Sequence, residues 1–590
     1  MVQTRFYGFL SNRYTSALIS PDGVVEWLAF PRFDGDAVFC RLLDPIHGGF
    51  IGLRPTSQFT AAQRYRTDSL ILETILDSDQ GRATIHDFLA IGRSEFWRRV
   101  TTEVPLMLTC RPTFGFGYAS AAYQITETGA IFTHPQGAEG IVLIIQGPAK
   151  KLVQRDQWQI GPGMVDVVVR HSPNLTQEEE IVTEPCEDGD YVERVTDQYW
   201  KHGLIPYHGP WADMFRRSLL TVRGLTYRTN GALLAAATTS LPEAVGESRQ
   251  WDYRYVWVRD GAYAAESLLL AGDPVAGRQF LEFMFNTVSL VGKPFESPFY
   301  RVDGTMTRGE SELLWLSGFK NSRPVRVGNA ASGQLQLDIE GDLLWTLYIY
   351  WKVTHDRTFI RDYWWAIEAL VDWVARNWDQ PDASLWEFRG DDDRYVHSQA
   401  MCWVAMAVGA ALARDALGRD GVAERWTRTA DSIRHAVLDQ AQSSARAMFT
   451  QGEFHRGMDA ALLTLPLYGF VAADHPLFQA TLEQIERDLV HDDVVLRYTF
   501  DNMGTAHWPF TLAGFWLARV YLRMGDVGRA DRIIARQMQL TTDLGLFAEH
   551  VDPDTGEQHG NFPQLFPHAA LIATLVERQW LVDGRPLPAL

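Results

Sequence analysis

Two glutamates stand in loop segments with apolar or aromatic neighbours. Glu387 lies in Ser384-Leu385-Trp386-Glu387-Phe388-Arg389-Gly390, and Glu549 in Gly545-Leu546-Phe547-Ala548-Glu549-His550. A pair of carboxylates lining one pocket is the apparatus of glycosidic bond hydrolysis. One arrives protonated and releases the leaving oxygen; the other is ionised and activates water. Taken singly, a loop glutamate is far more often a solvated side chain. Here Trp386 and Phe547 give each carboxylate an apolar neighbour of the kind that raises a pKa. A third segment, Trp251-Asp252-Tyr253-Arg254-Tyr255-Val256-Trp257-Val258-Arg259-Asp260, is dense in aromatic and charged side chains. Its adjacent Arg259 and Asp260 can donate and accept, respectively, toward sugar hydroxyls. The competing reading of that pair is a salt bridge at a helix start.

These groups work together only if the chain brings them to one place. Apolar periodicity from about residue 210 onward marks about twelve helices. They run over 210–223, 257–271, 275–290, 336–353, 357–377, 397–415, 419–438, 457–466, 476–488, 507–524, 527–540 and 566–579. Links after even-numbered helices are mostly short, such as His355-Asp356; most links after odd-numbered ones are long. Helices joined by tight turns run antiparallel, so the long links gather at one end. Six such hairpins suggest an α/α barrel. Glu387 falls between the fifth and sixth helices and Glu549 between the eleventh and twelfth, on opposite sides of one mouth. The first ~200 residues instead alternate apolar and polar between turn signals, as at 16–20, 24–28, 140–145 and 165–170, which reads as a β-sandwich. The expected architecture is an N-terminal β-sandwich, 1–205, followed by an (α/α)6 barrel, 206–590, with a linker helix at its start.

A formal charge of −19 disfavours nucleic acid and anionic membrane surfaces as partners and suits a neutral substrate. Most of the 20 Trp, 20 Tyr and 31 Phe belong to the core, although Trp and Tyr faces also suit sugar rings. Cys40, Cys110, Cys186 and Cys402 form no C-x-x-C pattern, which disfavours zinc or a disulfide framework. With no apolar signal core at the N-terminus and no run approaching about 18 apolar residues, a cytoplasmic location is expected. A homo-oligomer is compatible with the sequence. Asp391-Asp392-Asp393 and Asp552-Pro553-Asp554 lack the spacing of a calcium loop and read as a solvated run and a turn. Neither a metal nor a cofactor is expected.

The chain resembles glycoside hydrolase family 15, the glucoamylase-like and trehalase-like enzymes. The Trp251–Asp260 stretch carries the resemblance, together with Tyr7 to Leu10, Trp27 to Asp34, Gly328 to Asp338, Leu385 to Gly390 and Gly560 to His568. The resemblance implies inversion by single displacement, with Glu387 as general acid and Glu549 as general base. Arg259 and Asp260 would hold hydroxyls of the terminal glucose, Tyr253 and Trp257 would line its subsite, and Trp386 and Arg389 would shape the pocket. The implied activity is exo-acting release of β-glucose from the non-reducing end of α-gluco-oligosaccharides or trehalose. The alternatives are an inverting disaccharide phosphorylase, against which Glu549 counts, and a non-catalytic sugar-binding protein. The chain departs from the family pattern at Gln399, at Ala407-Val408 and at Ala506-His507-Trp508-Pro509-Phe510. These departures are expected on the leaving-sugar rim, with His507 and Trp508 contacting the second sugar.

Overall fold

The computed structural model describes residues 6–154, 156–175, 187–307, 309–444, 446–498, 500–501 and 504–590. Strands occupy Gly8 to Ser172 and form two eight-stranded antiparallel sheets, packed as a sandwich, with a separate two-stranded ribbon of Thr113–Phe114 and Ala119–Ser120. The four anticipated runs fall in strands Ser16–Ile19, Val25–Ala29, Gly140–Gln146 and Gly163–Ser172. In the last of these Val167, Val168 and Val169 are all buried, because both faces are covered. Val167 and Val169 join the main core, whereas Val168 packs with Ile71, Phe88, Trp97 and Val192.

Val192 belongs to a helix, Gly189–Lys201, in a stretch read from the sequence only as strands. Val192, Thr196 and Trp200 recur at four-residue spacing and are its buried stripe. Its Glu193 accepts from Arg99 at 2.7 Å and pairs with His86 at 2.9 Å, fastening the helix to the sheet.

The remaining helices form two concentric rings. The inner ring is Val258–Ala271, Ile339–Thr354, Val396–Ala411, Ala460–Thr464, Thr511–Arg523 and Leu565–Val582. Each touches the next, and the last closes on the first. The outer ring is Ala212–Gly224, Pro274–Phe285, Trp364–Asn377, Asp420–Ser443, Pro476–Asp488 and Val527–Gln539. Helix chemistry sorts the two rings. Inner helices are buried on every side, as from Val396 to Met406. Outer ones are amphipathic, and Val527–Gln539 buries only Ala530, Ile533, Ile534 and Gln537. Val396–Ala416 is long and apolar enough to cross a membrane, a run the sequence reading passed over. Inside the barrel 89% of its apolar window is buried.

Two helices differ from expectation. The eighth is a single 3-10 turn, Ala460–Thr464, not an α-helix over 457–466. Asp459 caps it at Ala461 N, and Pro466 removes the N–H that another turn would use. The fifth breaks at Tyr363 (φ −100°, ψ 12°) into Arg357–Asp362 and Trp364–Asn377.

The sandwich reaches the barrel rim through Arg254. Its guanidinium holds Asp252 at 2.8 and 2.9 Å, donates to the Gly35 carbonyl at 2.6 Å, and lies over the Trp27 and Phe116 rings. Arg254, Asp252, Trp27 and Phe116 are all buried, so the segment carrying Tyr253 and Trp257 is braced from the N-terminal side.

Candidate active site

The long links converge on one partly open pocket. Tyr253, Trp257, Arg259, Asp260, Trp386, Glu387, Arg389 and Glu549 all line it. His507 and Trp508 do not. His507 pairs with Glu247 at 2.8 Å on the exposed flank, and Trp508 stacks on His559 with centroids 4.9 Å apart. Gln399, Ala407 and Val408 also lie off the pocket wall. They sit within the inner helix Val396–Ala411, where Gln399 and Val408 are buried. Of the departures from the family pattern, Phe510 alone of the residues named lines the pocket, whereas Gln399, Ala407, Val408, His507 and Trp508 do not.

Glu387 sits at a strained backbone position, with φ at 59°. A non-glycine residue there costs of order 1 kcal/mol or more and needs support. The support is local: Glu387 N donates to Ser384 O, Phe388 N to Ala383 O, and Gln334 Nε2 grips both the Glu387 and Phe388 carbonyls at 3.2 and 3.1 Å. The side chain keeps 19% of its surface exposed to the cavity. Its Oε1 accepts from Trp257 Nε1 at 2.7 Å and Arg259 at 3.0 Å. Burial raises its pKa above the usual carboxylate range, while Arg259 and Trp257 oppose that rise.

Arg259 proves to be a hub rather than a partner of Asp260 alone. It bonds Asp338 at 3.0 Å and Gln336 at 3.1 Å as well as Glu387, whereas Asp260 stands 4.0 Å away. Asp260 Oδ2 is buried without a protein hydrogen-bond partner, an acceptor available to a ligand. Burial pushes the Asp260 carboxyl up to about 7 against the pull of Arg259. Trp386 turns its indole N–H onto Asp459 at 2.8 and 3.0 Å, fixing the wall beside Glu387.

Glu549 is 4% exposed. Thr511 N holds its carbonyl at 3.1 Å, and Ala548 N donates to Gln558 Oε1 at 2.8 Å. A Cβ on Gly560 would stand 2.8 Å from Oε2 of Glu549, so glycine leaves that oxygen its space. Tyr253 donates its hydroxyl to Glu549 Oε1 at 3.1 Å, and its ring meets Trp257 edge-on with centroids 5.4 Å apart. Tyr253 and Trp257 thus link the two carboxylates.

Sequence reasoning missed Glu243, Arg249, Arg497 and Tyr498, which also line the pocket. Trp251, from the aromatic and charged segment, lines the pocket too. Arg389 and Arg326 lie 4.2 and 4.8 Å from the Trp251 ring, and both pair with Glu310, at 3.0 and 3.1 Å. Nothing in isolation distinguishes Glu243 from a solvated loop acid; only its spacing before Arg249 and Trp251 was available as a signal.

Acceptor atoms of Glu243, Glu549 and His550 lie within 4.8 Å of one another, close enough to share a cation. Arg497 already pairs with Glu243, and Arg249 stands 3.8 Å from it. The protein supplies its own cations there. The aspartate run at 391–393 is not solvated throughout, because Asp393 is buried and accepts from Phe454 N and His455 N. It ties the Glu387 loop to its neighbour. Asp552 forms the anticipated turn with Asp554 and Thr555.

The sequence model of glycosyl hydrolases family 15 matches residues 209–528 and 524–576, and that of trehalase-like N-terminal domains matches 4–170. Trehalase 2 of Sulfolobus acidocaldarius is 37% identical over 97% of this chain and 99% of its own length. The trehalase of Mycolicibacterium smegmatis is 34% identical over 97% and 90%. A bacterial glucoamylase solved in complex with acarbose shares the fold at a TM-score of 0.75 and 13% identity, covering 99% of this chain and 94% of its own.

Proposed function

The chain belongs to glycosyl hydrolases family 15, and from that premise we propose that it hydrolyses trehalose with inversion, Glu387 acting as general acid and Glu549 as general base. That it is an α-glucoside hydrolase follows from its relatives; the substrate and the roles are this reading's own. The observation that carries the roles is the shared pocket, with Trp257 on one carboxylate and Tyr253 on the other.

In this reading the terminal glucose enters beneath Arg259 and Asp260. Asp260 Oδ2 accepts a sugar hydroxyl, and Arg259 keeps the acid in register. Glu387 is held through Oε1 by two donors, so its proton rides on Oε2 and passes to the bridging oxygen. Water sits against Glu549, whose Oε1 is occupied by Tyr253 and whose other oxygen takes the proton. Space for that water calls for carboxyl groups about 6.5–9.5 Å apart. The leaving glucose would rest toward Trp251, Arg389 and Tyr498.

This reading places the chain in a reducing compartment, the cytoplasm. Cys40, Cys110 and Cys402 are buried and free, in keeping with that placement; Cys186 lies outside the described residues. It also takes 1–205 and 206–590 as the two domains. Proton NMR of the first turnovers on trehalose tests the mechanism. Equal early release of α- and β-glucose is the expected result, since inversion converts one ring and leaves the other as it was. Release of α-glucose alone overturns it. Glucose release from maltose, isomaltose, kojibiose, nigerose and starch, compared with trehalose, tests the substrate.

A further inference from the structure

We propose that Glu243 is a positioning residue of the reaction: by holding Arg497 and Trp251 at the general base, it fixes the charge field in which Glu549 takes a proton from water. The proposal rests on the reading of Glu549 as the base. Glu243 opens a turn that closes on itself through Glu243 N to Arg249 O at 3.0 Å. Gly560 N to Pro242 O at 2.8 Å fastens the turn to the base loop. The carboxylate is buried and accepts from Trp251 Nε1 at 3.1 Å and from Arg497, with Arg249 at 3.8 Å and His550 at 3.7 Å.

The charged and titratable groups facing Glu549 come from several elements. Tyr253 and Asp260 come from the rim segment and the helix it enters, Arg497 from the loop before Thr511–Arg523, and Glu243 from its turn. His550 is next in the chain, and Glu387 lies beyond Tyr253. Arg497 is the cation of this set that acts on both Glu243 and Glu549. Glu243 draws it in directly, and its own proton affinity falls: burial raises it, but Arg497, His550 and Arg249 outweigh burial. The balance at Glu549 runs the other way, raised by burial and then by Glu243, against Arg497 and Tyr253. A base with higher proton affinity is the stronger base once ionised. Glu243 thus trades some of the ionised fraction at low pH for base strength.

The experiment is the pH profile of kcat/KM on trehalose for the full-length chain. Glu243→Gln frees Arg497 for Glu549 and moves the acidic limb down by about one pH unit. Arg497→Met moves it up, and Arg497→Lys leaves it near the parent position. A purely structural role would lower kcat at every pH and leave the limb in place, and that result overturns the proposal. If Glu243→Gln does not fold, an unmoved limb in Arg497→Met overturns it as well. Glu549→Gln separates the two readings. Retained turnover there refutes the base assignment itself, whereas a silent Glu549→Gln with an unmoved limb in Glu243→Gln refutes only the role of Glu243.

Discussion

The indole N–H of Trp257 and the guanidinium of Arg259 meet on one oxygen of Glu387, at 2.7 and 3.0 Å. Both donors favour the ionised form, and burial opposes them. Trp257→Phe removes one donor and keeps the ring. A hydrogen bond to a charged group is worth about 1.5–3 kcal/mol, so kcat should fall roughly ten- to hundred-fold. Steady-state kinetics on trehalose, with KM largely unchanged, is the check.

Glu387→Gln and Glu549→Gln each remove a proton-transfer group. Each should lower kcat by about 10²–10⁴-fold while the melting temperature holds or rises, since both carboxyls are disfavoured by burial. A variant that keeps parental turnover shows that its residue is not the acid or the base.

Gln334→Ala releases the two carbonyls that keep Glu387 in its left-handed conformation. Loss of about 1 kcal/mol of positioning per hydrogen bond predicts a several-fold to roughly thirty-fold drop in kcat. Product anomers should be unaffected. Kinetics and NMR on the same sample separate loss of register from a change of mechanism.

His507→Ala and Trp508→Ala should leave kcat/KM on trehalose within about two-fold of the parent, since neither side chain lines the pocket and changes outside such a site usually cost little. A larger loss would show that this flank closes over substrate.

His568 is buried between Ser218 Oγ and Phe547 N, and burial lowers its pKa to about 3. The unfolded chain takes up this proton near pH 6.5 and the folded chain does not. The neutral histidine therefore supports the fold fully above about 6.5, and that support is lost as pH falls toward 3. In His568→Gln the fall of melting temperature between pH 7 and 4 should be shallower than in the parent, as read by calorimetry.

The sequence exposed whatever rests on period and spacing. Alternating link lengths identified the barrel because a helix hairpin constrains where its ends emerge. Tyr253 to Asp260 and Glu387 were visible as unusual clusters. Glu243 and Arg497 were invisible as a pair because they meet across 254 positions of sequence. His507 and Trp508 lie beside the pocket rather than in its wall, since adjacency to a helix start says nothing about which side of a loop faces the cavity. The 3-10 turn at Ala460–Thr464 kept an apolar pattern that a single turn and a full helix share.

The carbonyl of Gly35, 219 positions upstream of Arg254, is part of how the rim holds its shape. The sandwich is thereby a jig rather than an appendage. A barrel expressed without it would keep Glu387, Glu549 and Tyr253 yet present Tyr253 on an unclamped segment.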